Sequence, residues 1–279
     1  MMTTRIITDS SANFYDKNID GIEHVSVPLS LRIDDKEWID DENLDLTAFQ
    51  AALKATEDKS TSSCPNLNAW LDAYRGADEI FVITITGALS GSYNAAVQAA
   101  RIYHEEDPKA KILVFDSRSA GPQLQLLARK IARLVNKGYS FEEIVKEAEA
   151  YQHHIALIFA LKDLTNLANN GRVSNTVAKM ASLLKMNIIG TANNKGEFDM
   201  AGRARGAKKA QAKMLADMIK NGYIGGRVQI DQVNNIEGAE SFKQVILEKF
   251  PDADVQIGEC GGLCSFYAEE GGLMVGYEK

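Results

Sequence analysis

The chain has 279 residues, 31 basic and 38 acidic, for a formal charge of −7, with 45% apolar side chains. That length buries one large or two ordinary domains without staples, and the composition excludes disordered, collagenous and fibrous proteins. The negative charge disfavours nucleic-acid binding, and the longest strongly apolar stretch, Ile155 to Leu161, is far short of the roughly eighteen residues of a spanning helix, so no stable membrane insertion is expected.

The run Arg5-Ile6-Ile7-Thr8-Asp9-Ser10-Ser11 reads as a short buried strand ending in a polar turn, where α/β sheets place ligand-facing groups. Residues 24–28 and 31–33 read as extended segments, and 46–54 and 67–74 as helices. The grammar then repeats: strand 79–86, a Gly-Ala-Leu-Ser-Gly-Ser turn and helix 93–105, then strand 111–115, the Asp116-Ser117 turn and the amphipathic stretch 123–136. Strands alternating with helices of this length imply right-handed crossovers and a mostly parallel sheet.

A boundary is expected after helix 141–151, dividing the chain into an N-terminal α/β domain, 1–153, and a smaller α/β domain, 154–279, with a cleft between them. Beyond it, 155–161 and 187–191 read as strands, and 163–169 and 176–185 as helices. Asn193-Asn194-Lys195-Gly196 reads as a hairpin turn. Helices 208–220 and 238–249 and strands 227–233, 254–258 and 273–277 complete the second unit.

Two polar clusters stand out. Ser60-Thr61-Ser62-Ser63-Cys64-Pro65-Asn66 precedes a helix and is either an N-cap and turn or a donor-rich binding loop. Leu89-Ser90-Gly91-Ser92-Tyr93-Asn94 lies between a strand and a helix, where free N–H groups and the helix dipole favour an anion, and Gly91 permits close approach of a ligand. It reads equally as a plain cap. With Asp9-Ser10-Ser11 and Asp116-Ser117, these clusters could converge at the strand ends of one sheet. Hydroxyls without nearby Lys or Arg suit a single carboxylate or hydroxyl better than a polyphosphate, and no Walker-A or G-x-G-x-x-G loop is present.

A serine-dependent acyl hydrolase is the rival reading. However, Gly87-Ala88-Leu89-Ser90-Gly91 puts its serine one place too late for a G-x-S-x-G elbow, and His24, His104, His153 and His154 sit away from the strand ends. The odd set Cys64, Cys260 and Cys264 fits a reducing compartment and shows no zinc-like spacing with the histidines. The start Met1-Met2-Thr3-Thr4-Arg5 has no apolar signal region, so a cytoplasmic protein without metal is expected.

Thr8-Asp9-Ser10-Ser11, Thr61-Ser62-Ser63-Cys64-Pro65, Leu89-Ser90-Gly91-Ser92-Tyr93, Asp116-Ser117 and Asn170-Gly171-Arg172-Val173-Ser174 together resemble the DegV family of bacterial fatty-acid-binding proteins, in order and spacing across nearly the whole chain. The acidic segment 34–49 before the first helix also looks like the family's. The resemblance implies a two-domain carrier without catalysis or cofactor of its own, holding a long-chain fatty acid in a buried tunnel. Carried over residue by residue, Ser62, Ser63, Ser90, Gly91 and Ser92 hold the carboxylate. A separate fatty acid kinase subunit would phosphorylate it, docking on a basic patch at Arg172, Arg203 and Arg205 with Lys208 and Lys209; a solvated helix face is the plain reading of those lysines.

The sequence departs from the family's His-x-Gly-Pro-Gly segment, reading Tyr267-Ala268-Glu269-Glu270-Gly271. A tyrosine hydroxyl can still donate to a carboxylate, whereas two glutamates beside it are unfavourable unless they point to solvent. This departure leaves open a non-coupled binder of another carboxylated lipid. Ile158, Leu161 and Met180 are tunnel candidates that the pattern alone does not separate from ordinary core.

Overall fold

A computed structural model describes residues 3–174 and 186–279. The expected helix 176–185, with Met180, lies outside the described residues. In chain order the first half contains β1 (Thr4–Asp9), β2 (Asn18–Ile19), β3 (Ile22–Val27), β4 (Ser30–Ile33), β5 (Lys36–Ile39), α1 (Leu46–Ala55), β6 (Thr61–Ser63), α2 (Leu67–Tyr74), β7 (Glu79–Thr84), α3 (Ser92–Glu106), β8 (Lys111–Asp116), α4 (Pro122–Asn136) and α5 (Phe141–Gln152). The second half contains β9 (Ile155–Leu161), α6 (Thr165–Asn169), β10 (Met186–Ala192), β11 (Phe198–Arg205), α7 (Ala207–Lys220), β12 (Val228–Gln232), α8 (Ile236–Lys249), β13 (Val255–Glu259), α9 (Gly262–Ala268) and β14 (Leu273–Glu278).

The first sheet runs β2-β3-β1-β7-β8, with β3, β1, β7 and β8 mutually parallel. Its β-branched strands are buried on both faces, as a sheet flanked by helices requires. The two-residue period divides them: Ile6, Phe81 and Ile83 pack with Leu124, Leu127 and Ile131 of α4, while Ile7, Ile80 and Val82 pack with Trp70 and Tyr74 of α2 and Ala96 and Ala99 of α3. The expected mostly parallel N-terminal sheet is therefore present.

The second sheet runs β11-β10-β9-β14-β12-β13, with β12 and β13 its parallel pair. On one face Ile158, Ile230 and Val275 pack against Met214 of α7 and Phe242 of α8. On the other, Leu157, Phe159, Leu161 and Met274 form a separate apolar surface with Leu164, Leu167 and Cys264. Helix α4 packs against both sheets. Its residues from Pro122 to Ala128 are all buried, so its first two turns form a wedge and only its later part is amphipathic. Gly276 permits the approach: a Cβ there would stand 2.7 Å from the Pro122 carbonyl carbon.

A small antiparallel sheet, β5-β4-β6, completes the first half. Leu31, Ile33 and Trp38 pack there with Phe49 of α1, and with Leu263 and Phe266 of α9. Late in the chain, α9 thus returns to the first half. Asp40 holds its start, accepting the N–H groups of Gly262 at 2.7 Å and Leu263 at 2.9 Å, while Tyr15 donates to the same carboxylate at 2.7 Å. Burial pushes the Asp40 carboxyl above its ordinary range; these donors oppose the shift.

Candidate functional site

A cavity of about 400 Å³ lies between the two sheets. This is within the range of small-ligand sites. The second sheet supplies a greasy wall of Leu157, Phe159, Leu161, Phe198 and Met274, continued by Ala120, Leu167, Leu263 and Ala268. Of the tunnel candidates, Leu161 lines the cavity, whereas Ile158 faces the α7–α8 core.

Hydroxyl groups gather on the loops that bound this wall. Ser62 stands on β6, paired opposite Leu31, and Ser62 Oγ lies 2.7 Å from Tyr267 Oη, one hydroxyl donating to the other. A hydrogen-bonded pair of hydroxyls uses one of its two protons internally and leaves the second free to donate outward. Both residues line the cavity, as do Ser63 and Cys64. The cap reading holds at Asn66, which caps α2 by accepting Ala69 N–H at 3.0 Å.

The second loop folds on Thr86, whose carbonyl accepts the N–H groups of Leu89 and Ser90, each at 3.2 Å. Ser90 and Gly91 line the cavity just before α3 begins. The two loops touch here: a Cβ on Gly91 would stand 3.0 Å from Cys64 Sγ. At φ −72 the constraint on Gly91 is space, not backbone conformation.

Ser92 is placed differently from expectation. It is fully buried, lies outside the cavity lining and donates its hydroxyl to Asp9. Asp9 also accepts from Ser11 Oγ and, at 2.9 Å, from Ile85 N–H. Burial raises the Asp9 carboxyl, and these three donors lower it part of the way back. Asp116 similarly accepts Gly87 N–H at 3.1 Å and Arg118 N–H at 2.9 Å. The Asp9 and Asp116 motifs therefore do meet the second loop, as struts that hold it rather than as ligand contacts.

Arg172 also differs from expectation. It lines the cavity, half-buried, and donates to the Asn170 carbonyl at 2.8 Å. The hydroxyl cavity therefore does have an arginine nearby. Arg203 and Arg205 stand apart from it, exposed on the sheet-edge strand β11 and followed by exposed Lys208 and Lys209. Neither glutamate after Tyr267 lines the cavity. Glu269 turns to α6, accepting Asn166 N–H at 3.0 Å, and burial pushes its carboxyl up to about 7. Glu270 is exposed, where it accepts from Asn234 at 3.3 Å.

No histidine is among the described lining residues, so neither Ser62 nor Ser90 has an imidazole base there. His24 is bound to Thr8 Oγ1 at 3.0 Å and the Asp16 carbonyl at 2.6 Å, and burial lowers its pKa. Among the described residues no cluster of three or more His, Cys, Asp or Glu could hold a metal, and no helix is long and apolar enough to cross a membrane. Thr86, Ser119 and Thr191 are lining hydroxyls that no motif in the sequence singles out. A serine three residues after a strand's closing aspartate carries no distinctive local signal.

Comparison with known proteins matches residues 3–279 to the family described as "Uncharacterised protein, DegV family". A DegV domain-containing protein of Streptococcus pyogenes is 42% identical over 279 residues, covering 99% of this chain and 100% of the relative. Among solved structures, the Streptococcus pneumoniae Fatty Acid Kinase (Fak) B3 protein loaded with linoleic acid superposes with a TM-score of 0.97 at 41% identity, covering 99% of each chain. A DegV family protein of Eubacterium eligens loaded with heptadecanoic acid superposes with a TM-score of 0.97 at 38% identity, covering 99% of this chain and 100% of the other.

Proposed function

Given that this chain belongs to the DegV family, we propose that its cavity binds one long-chain fatty acid, with the tail on the Leu157–Phe159–Leu161 wall and the carboxylate at the Ser62–Tyr267 pair, Ser63, Ser90 and Gly91. The observation that carries this reading is a mostly apolar cavity of about 400 Å³ whose lining includes the hydroxyl donors of Ser62, Ser63, Ser90 and Tyr267. The fatty acids in the S. pneumoniae and E. eligens proteins support the same ligand class.

The energetics divide the work. Each buried methylene contributes about 0.8 kcal/mol, so a sixteen-carbon tail gains roughly 12 kcal/mol gross before ordering costs. A carboxylate leaves water only where donors replace its lost hydrogen bonds. The outward proton of the Ser62–Tyr267 pair and the Ser90 hydroxyl supply them, and Arg172 adds positive charge along the same wall. The tail sets affinity and the donors set orientation.

The chain then serves as a carrier without catalysis of its own, presenting the carboxylate to a separate fatty acid kinase. The similarity to the S. pneumoniae Fatty Acid Kinase (Fak) B3 protein supports that partner. Residues 1–153 supply the head-group loops and 154–279 close the tunnel, apart from α9, which brings Tyr267 back to Ser62. Arg203 and Arg205, exposed on an edge strand and unpaired with any carboxylate among the described residues, form the docking patch, with Arg172 reassigned to the cavity. Solvent extraction and mass spectrometry of purified protein tests the ligand class: about one long-chain acid per chain is expected, and recovery of none, together with no uptake of added acid, overturns the reading.

A further inference from the structure

Ser119 combines two properties that are costly together. It lines the cavity at 1% exposure, and its hydroxyl has no hydrogen-bond partner among the described residues. The backbone around it is fully engaged: its N–H donates to Ser117 Oγ at 3.1 Å, and its carbonyl accepts from Ser117 Oγ at 3.1 Å and from Thr86 N–H at 2.8 Å. Other unpartnered buried hydroxyls, Ser26 and Ser60, do not line the cavity. A buried hydroxyl left without a partner destabilises the fold, and native structures rarely keep one unless something outside the chain satisfies it.

The position of Ser119 narrows what that something is. Thr86 ties it to the head-group loop, donating its N–H to the Ser119 carbonyl while its own carbonyl accepts Leu89 and Ser90 N–H. Ser90 and Ser119 therefore stand on adjacent loops fastened to one residue. Thr86 thus ties Ser119 to the same stretch of lining as Ser90, the end at which the carboxylate is placed above.

We propose that Ser119 is a binding site for a second ligand oxygen, and that the preferred ligand class is a long-chain acid carrying a hydroxyl on a carbon close to its carboxylate. This inference rests on the fatty-acid reading above. An aliphatic acid leaves Ser119 unpaired, whereas a near-carboxyl hydroxyl exchanges a hydrogen bond with it at no added burial of charge.

The experiment measures equilibrium binding of hexadecanoic, 3-hydroxyhexadecanoic and 16-hydroxyhexadecanoic acids to the wild-type chain and to Ser119→Ala and Ser119→Thr. The expected result is about a fivefold preference for the 3-hydroxy acid over the unsubstituted acid, matching one net hydrogen bond. That preference is lost in Ser119→Ala and kept in Ser119→Thr, and the 16-hydroxy acid gains nothing. Equal affinities in the wild type overturn the inference, since a bound water then satisfies the hydroxyl. An equal weakening of all three acids by Ser119→Ala also overturns it, by making Ser119 one more carboxylate donor. Failure of every acid to bind the wild type sinks the fatty-acid reading instead. The altered hydroxyl makes no hydrogen bond to the described residues, and thermal unfolding verifies that both variants fold.

Discussion

Tyr267→Phe removes one oxygen and almost nothing else. Tyr267 Oη and Ser62 Oγ are 2.7 Å apart, so the pair keeps one proton between them and directs one outward. Without Oη, Ser62 keeps its hydroxyl but loses the neighbour that polarises and orients it. Its one proton can still turn outward, so the loss is that of orientation and polarisation, and the Kd for a long-chain acid rises only about two- to fivefold. Ser62→Ala produces a similar loss. Either single variant keeps one hydroxyl that can still donate, and only the double substitution removes the outward donor; because a hydrogen bond to a charged group contributes about 1.5–3 kcal/mol, the double variant raises the Kd roughly ten- to hundredfold, more than the sum of the single losses. Isothermal titration with hexadecanoic acid measures all three variants, and hexadecanol serves as the control that keeps the tail but not the charge. In the double variant the alcohol should weaken by about an order of magnitude less than the acid. A wild-type Kd in the double variant, or a single variant as weak as the double, refutes the reasoning.

Three further outcomes follow from the same structure. Ala120→Trp projects a ring into the cavity, so the affinity for a sixteen-carbon acid falls at least about tenfold while an eight-carbon acid is affected less; direct titration of both acids checks this. Arg203→Glu with Arg205→Glu leaves fatty-acid Kd unchanged but slows phosphorylation by the kinase at least about fivefold, more at low salt than at high salt, as a kinase assay across ionic strengths reads out. The folded-state pKa of Glu269 is raised from 4.5 to about 7, so the native state binds its proton more tightly than the unfolded chain does. Its contribution is therefore fully present below pH 4.5 and is lost as pH rises towards 7. Glu269→Gln keeps the acceptor for Asn166 N–H and removes the charge, so the fall in Tm between pH 5 and pH 8 becomes smaller; an unchanged slope in thermal melts contradicts this.

What was legible in the sequence tracks what local pattern encodes. The strands β1, β7, β8 and β9 are short β-branched runs between turn residues, and their two faces alternate as the period demands, with Ile6 and Ile7 serving opposite layers. By contrast, Thr61–Ser63 is a polar strand that exists because Leu31 and its neighbours offer it an edge to pair with. Helix α9 is a seven-residue segment that begins with glycine, and its N-terminus is held by Asp40 from more than two hundred residues away. Neither has a local signature.

The site divides the same way. The hydroxyl loops at Ser62 and Ser90 are readable because a run of Ser and Thr just before a helix, and Ser-Gly-Ser between a strand and a helix, are recognisable patterns. The division of labour inside them was not. Ser90 reaches the cavity while Ser92, two residues on, turns inward to Asp9, a choice made by the partner on β1. Arg172 likewise looks in sequence like one more surface cation beside Arg205, yet the α6 turn carries it to the cavity wall.

A crystal structure of the chain with hexadecanoic acid tests the central claim most directly. The predicted result is an acyl chain along Leu157, Phe159 and Leu161, with its carboxylate oxygens within hydrogen-bond distance of the Ser62–Tyr267 pair and of Ser90. An acid bound outside this cavity, or inside it with the carboxylate turned away from both loops, contradicts the account.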